Sequence, residues 1–201
     1  AQPNPVFPAI NVRVTPAAKS TGWKSRVRQA ASHTDVQGWL RGLGRSLGYD
    51  VFIPVNDRHR SLGTENLGDC CVSELPDFGT SVCADVVRLI DVLWLSRASG
   101  RIVAAFEVEH TTPVGLGIVR MVTLAVGPEP HALEGLFIVA PDRREMEVRT
   151  QSSSPAFRLP AGPQLRYLPY SELQANREAA GRFGTGVQAL KAITRPLSQA
   201  Y

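Results

Sequence analysis

Two segments decide the fold of this chain: Arg88–Leu95 (RLIDVLWL) and Arg101–Glu109 (RIVAAFEVE). Both are rich in the β-branched, aromatic and aliphatic residues that favour strands. Between them lie Ser96, Arg97, Ala98, Ser99 and Gly100, a small and polar sequence suited to a hairpin turn, so the strands are expected to be antiparallel neighbours. Three carboxylates interrupt this apolar hairpin: Asp91 in the first strand, Glu107 and Glu109 in the second.

Upstream, Thr34 offers an N-cap with Gln37 three residues later, and Val36, Leu40, Leu43 and Leu47 recur at helical spacing as far as Gly48. The spacing predicts a first helix. Gly38, Gly42 and Gly44 each lower its propensity by up to about 1 kcal/mol relative to Ala. Packing must therefore hold it, and the small residues would let it lie close to a sheet. Tyr49–Val55 reads as a strand, followed by a long surface connection rich in Gly, Asp and Pro as far as Thr80. Downstream, Val114–Ala125 reads as a helix, Gly135–Ala140 (GLFIVA) as a buried strand, Arg143–Thr150 as a short helix and Leu165–Leu168 as a last strand. A helix is expected from Ser171. This order predicts an α/β domain over residues 32–201, with a mixed β-sheet core flanked by helices. Residues 1–31 hold four prolines among scattered basic residues and read as an extended N-terminal arm.

The carboxylates carry the chemistry. Glu107 and Glu109 are two apart in a strand whose alternate residues, Ile102, Ala104, Phe106 and Val108, form a continuous apolar face, so both glutamates should point the same way. Burying the isolated charge of Asp91 would cost on the order of several kcal/mol without compensation, and a cation would supply it. Asp91 reaches the end of the Glu107 strand only if the strands are staggered or diverge. Three hard oxygen ligands suit Mg2+ or Mn2+ better than zinc. Such an ion activates bound water and stabilises charge on a phosphate, which makes phosphodiester hydrolysis the natural reaction class. Without a cation the three acids would repel one another and raise their own pKa values. The competing reading is a solvated sheet edge with ordinary salt bridges.

Composition sets outer bounds. A chain of 201 residues, 43% hydrophobic, can bury one substantial core. Its apolar runs fall well short of the roughly 20 residues that span a bilayer, so no membrane partner is expected. Nothing at the start reads as an intact secretory signal. Residue 1 is Ala, which leaves room for a trimmed chain or a piece of a larger protein with further domains or subunits. Cys70, Cys71 and Cys83 suit neither a disulfide framework nor CxxC zinc spacing, so a reducing cytoplasm is the simpler location. The net charge of +4 mildly favours a polyanionic partner.

Ile90-Asp91, followed after a turn by Glu107-Val108-Glu109 in a hydrophobic strand, resembles the PD-(D/E)xK restriction endonuclease-like superfamily. IDVLWL, IVAAFEVEHTT and LFIVAPDRR are also similar to segments of bacterial members. The resemblance implies a restriction endonuclease-like core, with Asp91 as first metal ligand and Glu107 as second. Glu109 falls where the motif usually has the lysine that positions or activates water, and Ile90 replaces the motif's proline. Glutamate cannot be a cationic stabiliser. An ExE version occurs in some type II restriction enzymes, and there the last carboxylate would act as general base or bind a second metal.

Other polar residues have two readings each. Asn56, Asp57, Arg58, His59 and Arg60 could meet phosphates or base edges, or form an exposed loop. Arg120 would reach the nucleic-acid backbone or pair with an acid. His110 could contact a phosphate, although strand alternation turns it to the opposite face. Thr111 and Thr112 are expected to end the strand, with a hydroxyl there capping the next helix or meeting a phosphate. Asp35 could supply the additional acid that many superfamily members carry on an early helix, or favour the helix N-terminus without any catalytic reason. Arg143 and Arg144 read as a solvated helix start, and Trp23, Trp39 and Trp94 as core or partner surface. The leading expectation is a Mg2+-dependent DNA endonuclease of restriction or host defence, dimeric if it cuts both strands. The alternative is a non-cleaving module of the same fold that binds nucleic acid or protein.

Overall fold

The computed structural model describes residues 31–75, 81–127, 132–157 and 163–197. The expected arm at 1–31 lies outside these, apart from Ala31. In chain order the elements are α1 (His33–Ser46), β1 (Tyr49–Phe52), β2 (Ser61–Leu62), β3 (Glu65–Asn66), α2 (Ser81–Val87), β4 (Val92–Ser96), β5 (Ile102–Val108), α3 (Val114–Ala125), β6 (Gly135–Ala140), α4 (Glu145–Ser152), β7 (Leu165–Pro169), α5 (Tyr170–Phe183), α6 (Gln188–Lys191) and β8 (Arg195–Pro196). Six strands form one mixed sheet in the order β1-β4-β5-β6-β7-β8. β1, β4 and β5 run antiparallel, β5, β6 and β7 parallel, and β8 returns antiparallel to β7. Helices flank the sheet, as expected of a restriction endonuclease-like core.

Two apolar layers sandwich the sheet. Ile118, Met121 and Leu124 of α3 and Val148 of α4 pack with Leu93, Ala105 and Ile138 on one face. Val36, Leu40 and Leu43 of α1 and Leu173 of α5 pack with Val51, Trp94, Phe106 and Val139 on the other. A Cβ at Gly44 would stand 2.4 Å from Trp94 Nε1, so this glycine is what lets α1 settle onto the indole. Trp94 in turn donates to the Leu40 carbonyl at 3.1 Å, and its ring lies between those of Tyr49 and Phe106.

The start of α1 differs from the reading of the sequence. Ser32, not Thr34, is the N-cap: its hydroxyl accepts the Asp35 N–H while the Asp35 carboxylate accepts the Ser32 N–H. Both candidate caps are hydroxyls, but only Ser32 has an acid three residues on to close the box. Gln37 is thereby freed to turn inward, where it is fully buried. The connection after β1 is also less open than expected. It contains the β2–β3 hairpin and the buried Leu67, held by Arg41, whose Nη1 donates to the carbonyls of Asn66, Leu67 and Asp69.

Strand register sets the geometry of the acids. Leu95 pairs with Ile102 but Trp94 with Ala104, so Val103 is an extra residue in β5. This bulge is the stagger that the carboxylates need. Beyond it Val92 faces Phe106, and Asp91, just before Val92, accepts the Val108 N–H beside Glu107. The bulge also breaks the expected apolar alternation. Ala104, Phe106 and Val108 share the α1 face, whereas Ile102 packs on the α3 side.

Candidate metal and nucleic-acid site

Asp91 sits just before β4 and Glu109 just after β5, where the sheet ends in a cleft of about 500 Å³. Asp91, Glu107 and Glu109 all line it. Their placement follows from local causes. Asp91 Oδ2 accepts the Val108 N–H at 2.7 Å, replacing a strand carbonyl at the point where β4 has not yet begun. Glu107 and Glu109 both point at α3, as alternation requires. They fit there because Gly117 has no side chain: a Cβ at that position would stand 2.4 Å from Glu109 Oε1 and 3.1 Å from Glu107 Cβ.

Each acid has protein partners. Glu107 Oε2 accepts from Arg120 Nη1 at 2.9 Å, while its Oε1 is buried with no partner among the described residues. Glu109 Oε2 accepts from the Thr112 hydroxyl, and Asp91 Oδ2 lies 3.3 Å from His33 Nε2. Burial pushes the Glu107 carboxyl well above the usual carboxylate range, and the neighbouring charge of Asp91 adds to this against the pull of Arg120. Burial also raises Glu109, with the Thr112 hydrogen bond opposing it. For His33, burial alone would lower the imidazole, but the hydrogen bond and charge of Asp91 outweigh it and the net shift is upward.

Asp91, Glu107 and Glu109, the acids expected to come within reach of one or two cations, share this cleft. Among the described residues no three His, Cys, Asp or Glu groups are placed to hold a metal together. Hydrogen bonds to Val108, Arg120 and Thr112 hold the acids in separate orientations within the shared cleft. The donor set is nonetheless all oxygen, and Glu107 Oε1 is a buried acceptor in need of a partner. Both features fit a hard divalent cation.

The residues read as nucleic-acid contacts are divided. Asn56 is exposed at the cleft, and Arg120 lines it while pairing with Glu107. Arg58 is turned inward. Its Nε donates to the Ile53 carbonyl and Nη2 to those of Val72 and Ser73, with the guanidinium 5.0 Å from the Phe52 ring centroid. His110 stacks on Tyr170 on the face opposite the glutamates, yet still borders the cleft. Burial and the charge of Arg143 lower its pKa.

Thr112 does not cap α3. The N-cap is Pro113, without a side-chain bond, and the Thr112 hydroxyl goes to Glu109 instead. Arg143 is exposed, but Arg144 is not a solvated helix start. It donates from Nη1 to the Glu109 carbonyl and from Nη2 to the Thr112 carbonyl, each at 2.7 Å, pinning the turn after β5. Asp35 serves the α1 cap. Trp94 is core, Trp39 lies under the Arg177 guanidinium, and Trp23 falls outside the described residues.

His33, not singled out from the sequence, and Gln37 and Asp57, read there as a capping residue and a loop residue, complete the site. His33 contacts Asp91, and Gln37 Nε2 donates to Asp57 Oδ2 at 2.8 Å and to the Asp91 carbonyl at 3.3 Å. Asp57 is buried and paired with Arg60 at 2.9 Å. A polar residue at an apolar helical position was the available signal for Gln37, but the assignment of Gln37 to a capping box concealed it. No helix among the described residues is long and apolar enough to cross a membrane.

Residues 14–188 match the family described as the type II restriction enzyme NmeDI C-terminal domain. Over 148 residues the chain is 29% identical to the type II restriction enzyme NmeDI of Neisseria meningitidis serogroup C, an alignment covering 71% of this chain and 41% of that protein. The chain thus spans about two fifths of the length of that curated relative. No solved structure gives a significant match.

Proposed function

The chain belongs to the family of the type II restriction enzyme NmeDI C-terminal domain, and on that premise we propose that it is the nuclease portion of a restriction or host-defence system, hydrolysing phosphodiester bonds of DNA with Mg2+ or Mn2+. The observation that carries this reading is Glu107. It is a fully buried carboxylate with one unpartnered oxygen, in a cleft shared with Asp91 and Glu109. A buried carboxylate oxygen without a donor costs stability that a bound ligand would offset.

Asp91, Glu107 and Glu109 would hold the ion, as the ExE version of the PD-(D/E)xK motif does. When bound, the ion supplies Lewis-acid stabilisation of phosphate charge and a more acidic water. Glu109, with its raised carboxyl pKa and its place at the open end of the strand, can hold the proton taken from the attacking water or serve as a second ligand. Asn56 and Arg60, lining the same cleft, orient the DNA backbone. Cutting both strands favours two such sites, which a symmetric dimer would supply.

The engagement of all three acids with Val108, Arg120 and Thr112 favours a second reading, a module of the same fold that binds DNA or protein without cutting. Incubation with plasmid, single-stranded DNA and RNA, in Mg2+, Mn2+ or EDTA, separates the two. Nicking of DNA by wild type with metal, absent in EDTA and in Glu107→Gln, supports the nuclease. Failure of wild type to cut any substrate, with DNA binding retained, supports the non-cleaving module.

A further inference from the structure

Arg120 holds Glu107 in a way that does not suit a permanent structural pair. The two side chains differ sharply in exposure: Glu107 is 1% exposed and Arg120 28%, so the guanidinium reaches into the protein from the cleft. A fixed buried partner of a carboxylate normally uses its planar fork to engage both oxygens. Here only Nη1 donates, and only to Oε2. Among the described residues, the other Arg120 donors have no protein acceptor and Glu107 Oε1 has no donor. A divalent cation on Glu107 would stand beside the guanidinium and repel it. The Arg120 stem leads out to a wide cleft that Asn56 and Arg60 also line.

We propose that Arg120 is a displaceable counterion: it neutralises Glu107 in the metal-free protein, and cation binding releases its guanidinium into the cleft, where it holds a phosphate of the nucleic acid. This rests on the metal-dependent reading of the same site. The charge exchange is consistent with the residues present, because one cation replaces another on Glu107. The freed guanidinium then finds in a phosphate the bidentate acceptor that Glu107 does not give it. Metal binding and substrate binding are thereby linked through one side chain, and the protein grips DNA more tightly once it is loaded.

The test reads Mn2+ binding and DNA binding, not cleavage. Mn2+ is titrated by electron paramagnetic resonance into wild type, Arg120→Gln and Glu107→Gln without nucleic acid. The affinity of a DNA duplex is then measured by fluorescence anisotropy over a range of salt, in Ca2+ and in EDTA. Removing the competing charge should tighten Mn2+ binding in Arg120→Gln by about three- to tenfold. The logarithmic salt slope of wild type should steepen in Ca2+ by about one phosphate contact relative to EDTA, and that of Arg120→Gln should not. Weaker Mn2+ binding by Arg120→Gln would show that Arg120 positions Glu107 for the ion, and overturns displacement. Equal wild-type slopes in Ca2+ and EDTA overturn it as well, and that comparison decides even if the variant does not fold. If wild type binds Mn2+ no better than Glu107→Gln, the metal-dependent reading itself has failed.

Discussion

Asp91 Oδ2 takes the Val108 backbone N–H at 2.7 Å, so a side chain closes the β4–β5 ladder where a main-chain carbonyl would ordinarily do so. The same oxygen meets His33 Nε2 at 3.3 Å, and the Asp91 carbonyl meets Gln37. One residue thus ties the mouth of the sheet to α1 and presents its carboxylate to the cleft. Its structural and chemical duties separate by substitution. Asp91→Ala leaves the N–H of the buried Val108 without an acceptor, a loss of about 1–3 kcal/mol. Asp91→Asn keeps an amide oxygen for that N–H and should unfold within about 1 kcal/mol of wild type, while losing metal affinity with the charge. Urea melts and Mn2+ titrations of both variants check this. Equal destabilisation by Ala and Asn would mean that the ladder bond is not what Asp91 contributes.

The second prediction concerns pH. Glu107 and Glu109 both have carboxyl pKa values raised in the fold, chiefly by burial. Such a group stabilises fully below its unfolded pKa, and that contribution is lost as pH rises through the folded one. His33, raised above 6.5, acts in the same sense at higher pH. The metal-free protein should therefore lose stability as pH rises above the ordinary carboxylate range and on past that of imidazole. Glu107→Gln removes the contribution of Glu107, so its decline should be shallower and its melting temperature near neutrality higher than that of metal-free wild type. At the upper end Mg2+ should restore wild type by RT ln(1 + [L]/Kd), about 2.7 kcal/mol at a hundredfold excess over Kd, and restore the variant less. Parallel curves for the two proteins would place the pH dependence elsewhere.

The sequence carries the fold more completely than the site, and the reason is physical. Val114–Ala125 and Gly135–Ala140 have the bounds read from periodicity, because long apolar patterns match the packing that buries them. α2, α6 and the edge strand β8 were not read, being short segments stabilised by what they pack against. At the site, β alternation placed Glu107 and Glu109 together. Their partners came from elsewhere in the chain: Arg120 across α3, Arg144 beyond β6, and His33 and Gln37 on α1. Such contacts depend on register and helix position. The Val103 bulge, which sets Asp91 beside the Glu107–Val108 end of β5, has no marker such as Gly or Pro in β5.

Gly117 gives the third prediction. Alanine is ordinarily worth up to about 1 kcal/mol over glycine inside a helix, but here its Cβ would meet Glu109 Oε1 at 2.4 Å and Glu107 Cβ at 3.1 Å. The carboxylate end of Glu109 can swing aside, whereas Glu107, buried against the sheet, has little freedom. Gly117→Ala should thus leave stability within about 1 kcal/mol of wild type, the helix gain offsetting the tight contact. Mn2+ affinity and DNA cleavage should fall because Glu109 has been displaced. Thermal melts beside Mn2+ titration check the split. Undiminished Mn2+ binding would remove Glu109 from the ligand set.

The last prediction concerns the turn that follows β5. Arg144 donates to the Glu109 and Thr112 carbonyls at 2.7 Å each, and its side chain is only 11% exposed, so it is held in place rather than solvated. Its carboxylate partner Glu147 is 41% exposed, where an ion pair contributes little, about 0–1 kcal/mol. The two carbonyl contacts are the stronger part of the arrangement, since charge-assisted bonds to a partly buried turn contribute about 1.5–3 kcal/mol each before losses are shared. Glu147→Ala should therefore be nearly silent in stability and in DNA cleavage. Arg144→Ala should release residues 109–112, speeding amide hydrogen exchange there, and should lower cleavage because Glu109 and its partner Thr112 lose their fixed relation. Arg144→Lys keeps the charge but has no fork to span two carbonyls, so it should resemble Ala more than wild type. A lysine variant with wild-type exchange and cleavage would show that charge near Glu109, and not the clamp on the turn, is what Arg144 supplies.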